Sequence, residues 1–286
     1  PIASRIRSED PTRGEGAAAS TDVPPFPLHS GAELLAACKK SDADEAMRLL
    51  GVAGIDVNAK DKYGGTPLHC ACEKGLKEVA MRLLGFASID VSAKDKFGMT
   101  PLHCACWKGH MEVALALAAN EAVDVNAKNE DGKTPLHYAC EEGHKELALA
   151  LAANEAVDVN AKNNFGKTPL HYACEEGHKE VALALAANEA VDVNAKDEDG
   201  KTPLHYACEK GHKELALALA ANEAVDVNAK NKNGMTPLHW ACKMGHKEVA
   251  LALAANEAVD VNAKDKWGRT PLHYAIKNGH KELALA

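Results

Sequence analysis

The sequence predicts an all-α repeat solenoid, made of helix-turn-helix units joined by β-hairpin loops. Three observations lead there. Thr-Pro-Leu-His recurs at Thr66, Thr100, Thr134, Thr168, Thr202, Thr236 and Thr270, always 34 residues apart, and a fixed period of this length marks a stacked-repeat architecture. Copies 129–162 and 163–196 agree at 31 of 34 positions, differing only at Glu130/Asn164, Asp131/Phe165 and Leu147/Val181, which points to tandem duplication. Hydrophobic residues make up 46% of the 286 residues but aromatics only 4%, enough apolar material for a core but too few rings for an aromatic-built β-sandwich or barrel.

The period sets the expected organisation. Residues 1–26 hold Pro11, Pro24 and Pro25 with mixed charges and no periodicity, so they read as a disordered N-terminal tail. Residues 27–60 fit the frame as a degenerate capping repeat, with Ala32-Glu33 in place of Thr-Pro and Ser41-Asp42 in place of Gly-His. Six full repeats follow over 61–264, and a truncated seventh over 265–286. The chain opens on Pro1 and stops at Ala286 inside the period, so it reads as a fragment.

One copy predicts the local structure of all. In Asn129-Glu130-Asp131-Gly132 a turn-forming Asn leads to a Gly, the signal of a hairpin tip. Thr134 is placed to N-cap a helix whose first position is Pro135. The helix runs from Leu136 to Glu142, and Gly143 stops it in the left-handed conformation. A second helix is predicted over His144–Ala153. Its Leu-Ala alternation resembles a strand, but Ala is the best helix former and is depleted in strands. Asn154 is expected to supply a left-handed cap. Val157-Asp158-Val159-Asn160 is expected to run extended into the next tip.

Paired helices with a hairpin tip and Thr-Pro-Leu-His opening the first helix resemble the ankyrin repeat, over residues 27–286. The resemblance implies helix pairs that stack side by side, with a concave face and loop tips used to bind proteins. It also implies that the Thr-Pro-Leu-His histidine bonds the neighbouring loop backbone. The period is 34 where the family usually has 33, the extra residue falling in the Asn-Glu-Ala-Val link. The asparagine of Asp-Val-Asn-Ala resembles a site that family members offer to an asparaginyl hydroxylase. Only Asn58 keeps the required Leu eight residues upstream, at Leu50, so the other copies read as asparagines ordering their own loops.

The abundant Cys and His do not predict chemistry. Seven of the nine cysteines, from Cys38 to Cys242, recur 34 apart. Stacked copies place them about 8–10 Å apart, beyond the Cα separation of about 7 Å that a disulfide tolerates. They read as small, reduced, buried apolar residues, which favours an intracellular, cytoplasmic protein. Thirteen of the fourteen histidines also lie in 34-spaced columns, one repeat step apart, too far to share a metal. No G-x-S-x-G, phosphate loop or H-E-x-x-H occurs, and an active site needs different groups converging on one point. No catalytic, cofactor or metal site is expected. The net charge of -8 argues against nucleic acid as a partner, and no apolar run is long enough for membrane insertion.

What varies between copies points to function. Tip positions, the residue after the tip Gly, and the end of the first helix differ most. Large side chains gather toward the two ends: Tyr63, Phe97, Met99 and Trp107, then Met235, Trp240, Met244 and Trp267, with Phe165 alone between them. Lys62 and Arg269 belong to basic ends, and Glu141 and Glu142 to an acidic centre. Aromatic anchors among complementary charge suit protein recognition. The expected function is a non-catalytic, monomeric scaffold or adaptor that binds a partner protein on its concave face and tips. The alternative is the targeting arm of a larger enzyme or channel.

Overall fold

The computed structural model describes residues 31–286; the tail expected at 1–26, and the start of the capping repeat, lie outside them. Sixteen helices form the described chain, from Gly31–Lys39 to Lys281–Leu285, and no strand occurs among the described residues. They come in pairs. First helices pack on first helices of the neighbouring copy, second helices on second helices. Each copy therefore touches only its neighbours, and stability is a sum of repeat terms and interfaces.

The copy at 129–162 shows why these residues fold this way. Its first helix is Pro135–Glu141, with Thr134 extended at φ -92°, ψ 168° as N-cap. Gly143 follows at φ 75°, and His144 N–H closes the turn onto Ala139 O at 2.9 Å. The second helix is Lys145–Ala152, burying Leu147, Ala148 and Leu151. The loop tip closes through Asn129 N–H on Lys133 O at 3.0 Å and Gly132 N–H on Asn129 O at 3.0 Å.

Two local expectations need correction. Ser41 is the one non-glycine residue with positive φ among those described, so Asn154 is not a left-handed cap. The helix ends at Ala153 in right-handed geometry, and Asn154 Oδ1 accepts Ala156 N–H at 3.0 Å, because an Asx side chain can hold a turn without inverting the backbone. Nor is 157–160 extended. Val159 and Asn160 lie in a turn, closed by Ala161 N–H on Asp158 O at 3.2 Å.

The asparagine and histidine columns lock copy to copy. Asn126 Nδ2 donates to Ala156 O at 2.7 Å, and its Oδ1 accepts Asp158 N–H at 2.7 Å. Asn58 does the same with Ser88 O and Asp90 N–H. Within each Thr-Pro-Leu-His, the Thr N–H donates to the histidine Nδ1, at 3.0 Å for Thr134 and His137. Nδ1 is thus an acceptor, the ring is neutral, and its proton sits on Nε2. That Nε2–H donates to a carbonyl of the next copy, Lys167 O at 3.0 Å. The cysteines are free and buried, and burial pushes the Cys104 thiol up to about 12.

The core runs unbroken along the stack, but the final copy lacks a neighbour on its outer side. Leu170 is 1% exposed, whereas Ile276 and Leu285 are 61% and 89% exposed. Amides in 265–286 are therefore expected to exchange faster than those in 163–196, since opening costs least where few apolar contacts hold. Equal protection of both segments in a monomeric sample would refute this.

Candidate functional site

A repeated ladder runs along the face formed by the first helices and the loop tips. In the copies from 129 to 230 the lysine after the tip Gly reaches along the first helices. Lys133 Nζ bonds Glu141 Oε2 at 2.7 Å and lies 5.2 and 4.4 Å from the rings of Tyr138 and Tyr172. Lys167 pairs with Glu175 between Tyr172 and Tyr206. Lys201 pairs with Glu209 between Tyr206 and Trp240. Each cation is thus held by one carboxylate and two rings, a favourable half-buried arrangement. In the final copy Arg269 takes the same position: its Nε lies 2.9 Å from Asp265 Oδ2, and its guanidinium stands 4.5 and 4.7 Å from the rings of Trp267 and Tyr274. Burial alone would raise the Asp265 carboxyl, but hydrogen bonds from Arg269, Tyr274 and Trp267 outweigh it and hold the group at about 2.

The structure sorts the sequence-predicted residues. Lys62, Tyr63, Phe97, Trp107, Glu142, Phe165, Met244 and Trp267 are exposed, Trp267 the most among the aromatics at 61%. Met99 and Met235 are corrected: they are 8% and 3% exposed, not anchors on the surface. Their position lies under the ladder, where an apolar side chain folds inward, and Asn129 Nδ2 approaches Met99 Sδ at 3.7 Å. Trp240 is half-buried, with Lys201 and Lys243 at 3.9 and 4.2 Å from its ring, so it is a rung of the ladder. Its buried indole N–H has no partner. Arg269 and Glu141 are already engaged by Asp265 and Lys133, which leaves Glu142 as the outward carboxylate of that pair.

Sequence reasoning missed the ladder lysines Lys133, Lys167 and Lys201, and the tyrosines Tyr138, Tyr172 and Tyr206. A signal existed: a cation after the tip Gly and a Tyr five residues later occur together, as Lys133/Tyr138, Lys167/Tyr172, Lys201/Tyr206 and Arg269/Tyr274, and are absent together from the other copies. In copies 61–94 and 95–128 the lysine is Gly65 or Met99, and the tyrosine is Cys70 or Cys104. The groove opens there into a cavity of about 880 Å³, bordered by Cys70, Cys104, Phe97, Trp107, Asp95 and Glu73. Although the tips around it carry Lys62, Lys96 and Lys108, those lysines do not border the cavity, whose wall holds more carboxylates than cations.

Among the described residues no group of three His, Cys, Asp or Glu side chains is placed to hold a metal. No helix is long and apolar enough to cross a membrane. A search of curated proteins returns no match to this chain. A family model described as ankyrin repeats, three copies, matches in overlapping windows at residues 34–129, 117–197, 155–231, 189–265 and 223–286. Matches that span the stack, on repeated helix pairs locked by the Thr-Pro-Leu-His histidines, place this chain in the ankyrin repeat family.

Proposed function

We propose that this chain is a non-catalytic scaffold or adaptor that holds a partner protein on its concave groove and loop tips. Ankyrin repeats are in general protein–protein interaction modules. The observation that carries the reading for this chain is the row of rings at one repeat-equivalent tip position: Tyr63, Phe97, Phe165 and Trp267, all exposed on a preformed backbone. Rigid exposed aromatics give large contact area at little ordering cost. In this reading residues 31–60 act as the N-terminal cap, tied to the first full copy by Lys39 Nζ on Asp61 Oδ2 at 2.6 Å.

Trp107→Ala and Trp267→Ala are each expected to weaken the purified partner's binding at least about tenfold, equivalent to about 1.4 kcal/mol. Glu142→Lys is expected to slow association and flatten its salt dependence, as steering charges do. Calorimetric titration and stopped-flow measurements at two ionic strengths check both. Normal binding by both tryptophan variants would discard the two rings as anchors of the recognition surface.

A further inference from the structure

The break in the ladder has a defined shape. The final copy displays how this groove holds a guanidinium: Asp265 Oδ2 accepts from Arg269, Trp267 and Tyr274 flank it. The copy at 95–128 keeps the acceptor and the tip ring at equivalent positions, Asp95 and Phe97, but has Met99 for the arginine and Cys104 for the tyrosine. Met99 turns inward and Cys104 is small, so the guanidinium's place is open space within the cavity.

Asp95 stands apart from the aspartates at equivalent positions. Its Oδ1 accepts the backbone N–H groups of Phe97 and Met99 at 2.8 and 2.9 Å. The outer oxygen of Asp61 is taken by Lys39, that of Asp197 by the Tyr206 hydroxyl, and that of Asp265 by Tyr274 and Arg269. Among the described residues nothing hydrogen-bonds Asp95 Oδ2. The same cavity holds Glu73, the counterpart of the ladder carboxylates Glu141 and Glu175, and the Trp107 ring. Lys39, Lys74 and Lys133 also border this void, and Lys108 covers one face of Trp107 at 3.4 Å. The Asp95 oxygen they leave free, with Glu73, the Phe97 ring and the other face of Trp107, complements a planar, delocalised cation better than a compact ammonium.

We propose that this cavity receives an arginine side chain from an extended segment of the protein partner, its guanidinium on Asp95 Oδ2 and Glu73 and its plane against Phe97 and Trp107. The inference rests on the scaffold reading above and names the chemistry its groove selects. Asp95 Oδ2, which no internal cation takes, gives the specificity, because the same position in copies 129–230 is filled by the chain's own lysine. Glu73 already shares its Oε1 with Lys74 at 3.1 Å and offers its other oxygen.

The test needs no partner. The full chain is titrated with N-acetyl-arginine methylamide and, in parallel, with its neutral isostere N-acetyl-citrulline methylamide, while the three indole N–H signals are followed by NMR. Saturable movement of Trp107, with Trp240 and Trp267 still, is expected for the arginine compound alone. Asp95→Asn should weaken it at least tenfold. Cys104→Tyr, which installs the residue type found at this position in the copies from 129 to 230, should close the void and abolish it with the fold intact. Equal response to citrulline, or unchanged affinity in Asp95→Asn, would overturn the proposal. Arginine binding in a chain whose tryptophan variants hold their partner normally keeps the pocket and discards the aromatic anchors. Loss of partner in those variants with no response to arginine does the reverse.

Discussion

Acidification from pH 7 to pH 5 is expected to cost the array about 2 kcal/mol for each of His103, His137, His171 and His205. Burial holds all four at about 4, against an ordinary value of 6.5. Burial also lowers His69 and His239. The two ring hydrogen bonds oppose each other: the Nε2–H bond to the next copy's carbonyl favours the charged ring, whereas a proton on Nδ1 would face the Thr N–H that Nδ1 now accepts, and burial outweighs the first. The unfolded chain binds these protons below pH 6.5 while the folded chain refuses them until about pH 4. Stability is therefore full above pH 6.5 and falls steadily across that window. Lys128 and Lys133 near His137, and Lys162 and Lys167 near His171, push the same way; Asp197 near His171 and His205 opposes them. The carboxylates held low, Asp61 and Asp265, act only at more acid pH. Together these losses are large against the few kcal/mol by which an ordinary domain is stable, so the melting midpoint should fall markedly from pH 7 to pH 5. Circular dichroism melts at pH 7, 6 and 5 decide the matter; a midpoint that stays constant across the three contradicts the histidine geometry.

Gly177→Ala is expected to destabilise the array by about 2–3 kcal/mol. The position has φ 78° and ends the helix Pro169–Glu176, and a left-handed alanine costs about 1–2 kcal/mol. Its Cβ would also lie 2.5 Å from the His212 ring, whose Nε2 holds Glu175 O at 2.9 Å across the repeat boundary. Moving that ring forfeits the bond, about 1 kcal/mol more. Gly54 has the same backbone, φ 77°, with nothing within 4 Å of an added Cβ, so Gly54→Ala isolates the backbone cost. Urea unfolding of both variants separates the two contributions. Equal losses would mean the His212 contact is irrelevant. In a double-mutant cycle with His212→Ala, the excess at Gly177 should disappear.

The loop tips and helix ends were legible because they are set by neighbours in the chain. Thr134, Pro135 and Gly143 each specify a backbone state locally, and the observed helix Pro135–Glu141 follows from them. Asn154 was misread since an Asx residue offers two local solutions, a left-handed backbone or a side-chain turn, and the sequence does not choose between them. The outcome at Asn154 is the turn, under a helix ending in right-handed geometry.

The candidate surface was legible only in part. Large side chains at the tips were correctly expected to be exposed, as Phe97 and Trp267 are. Met99 and Met235 were not separable from them, because their burial depends on the adjoining copies, some 30 residues away.

By itself the sequence determined the period, the helix pairs, the buried reduced cysteines and the histidine columns, since a repeat that cannot bury its apolar face alone must stack on its neighbours. Only the tertiary structure decided which side chains meet between copies. Lys133 finds Tyr172 a full repeat onward. Gly65, Cys70 and Cys104 together leave a void that none of them marks alone. The physical reason is that a ladder rung is made by residues that the chain separates and stacking joins, so its absence, and the open acidic cavity that results, exists only in three dimensions.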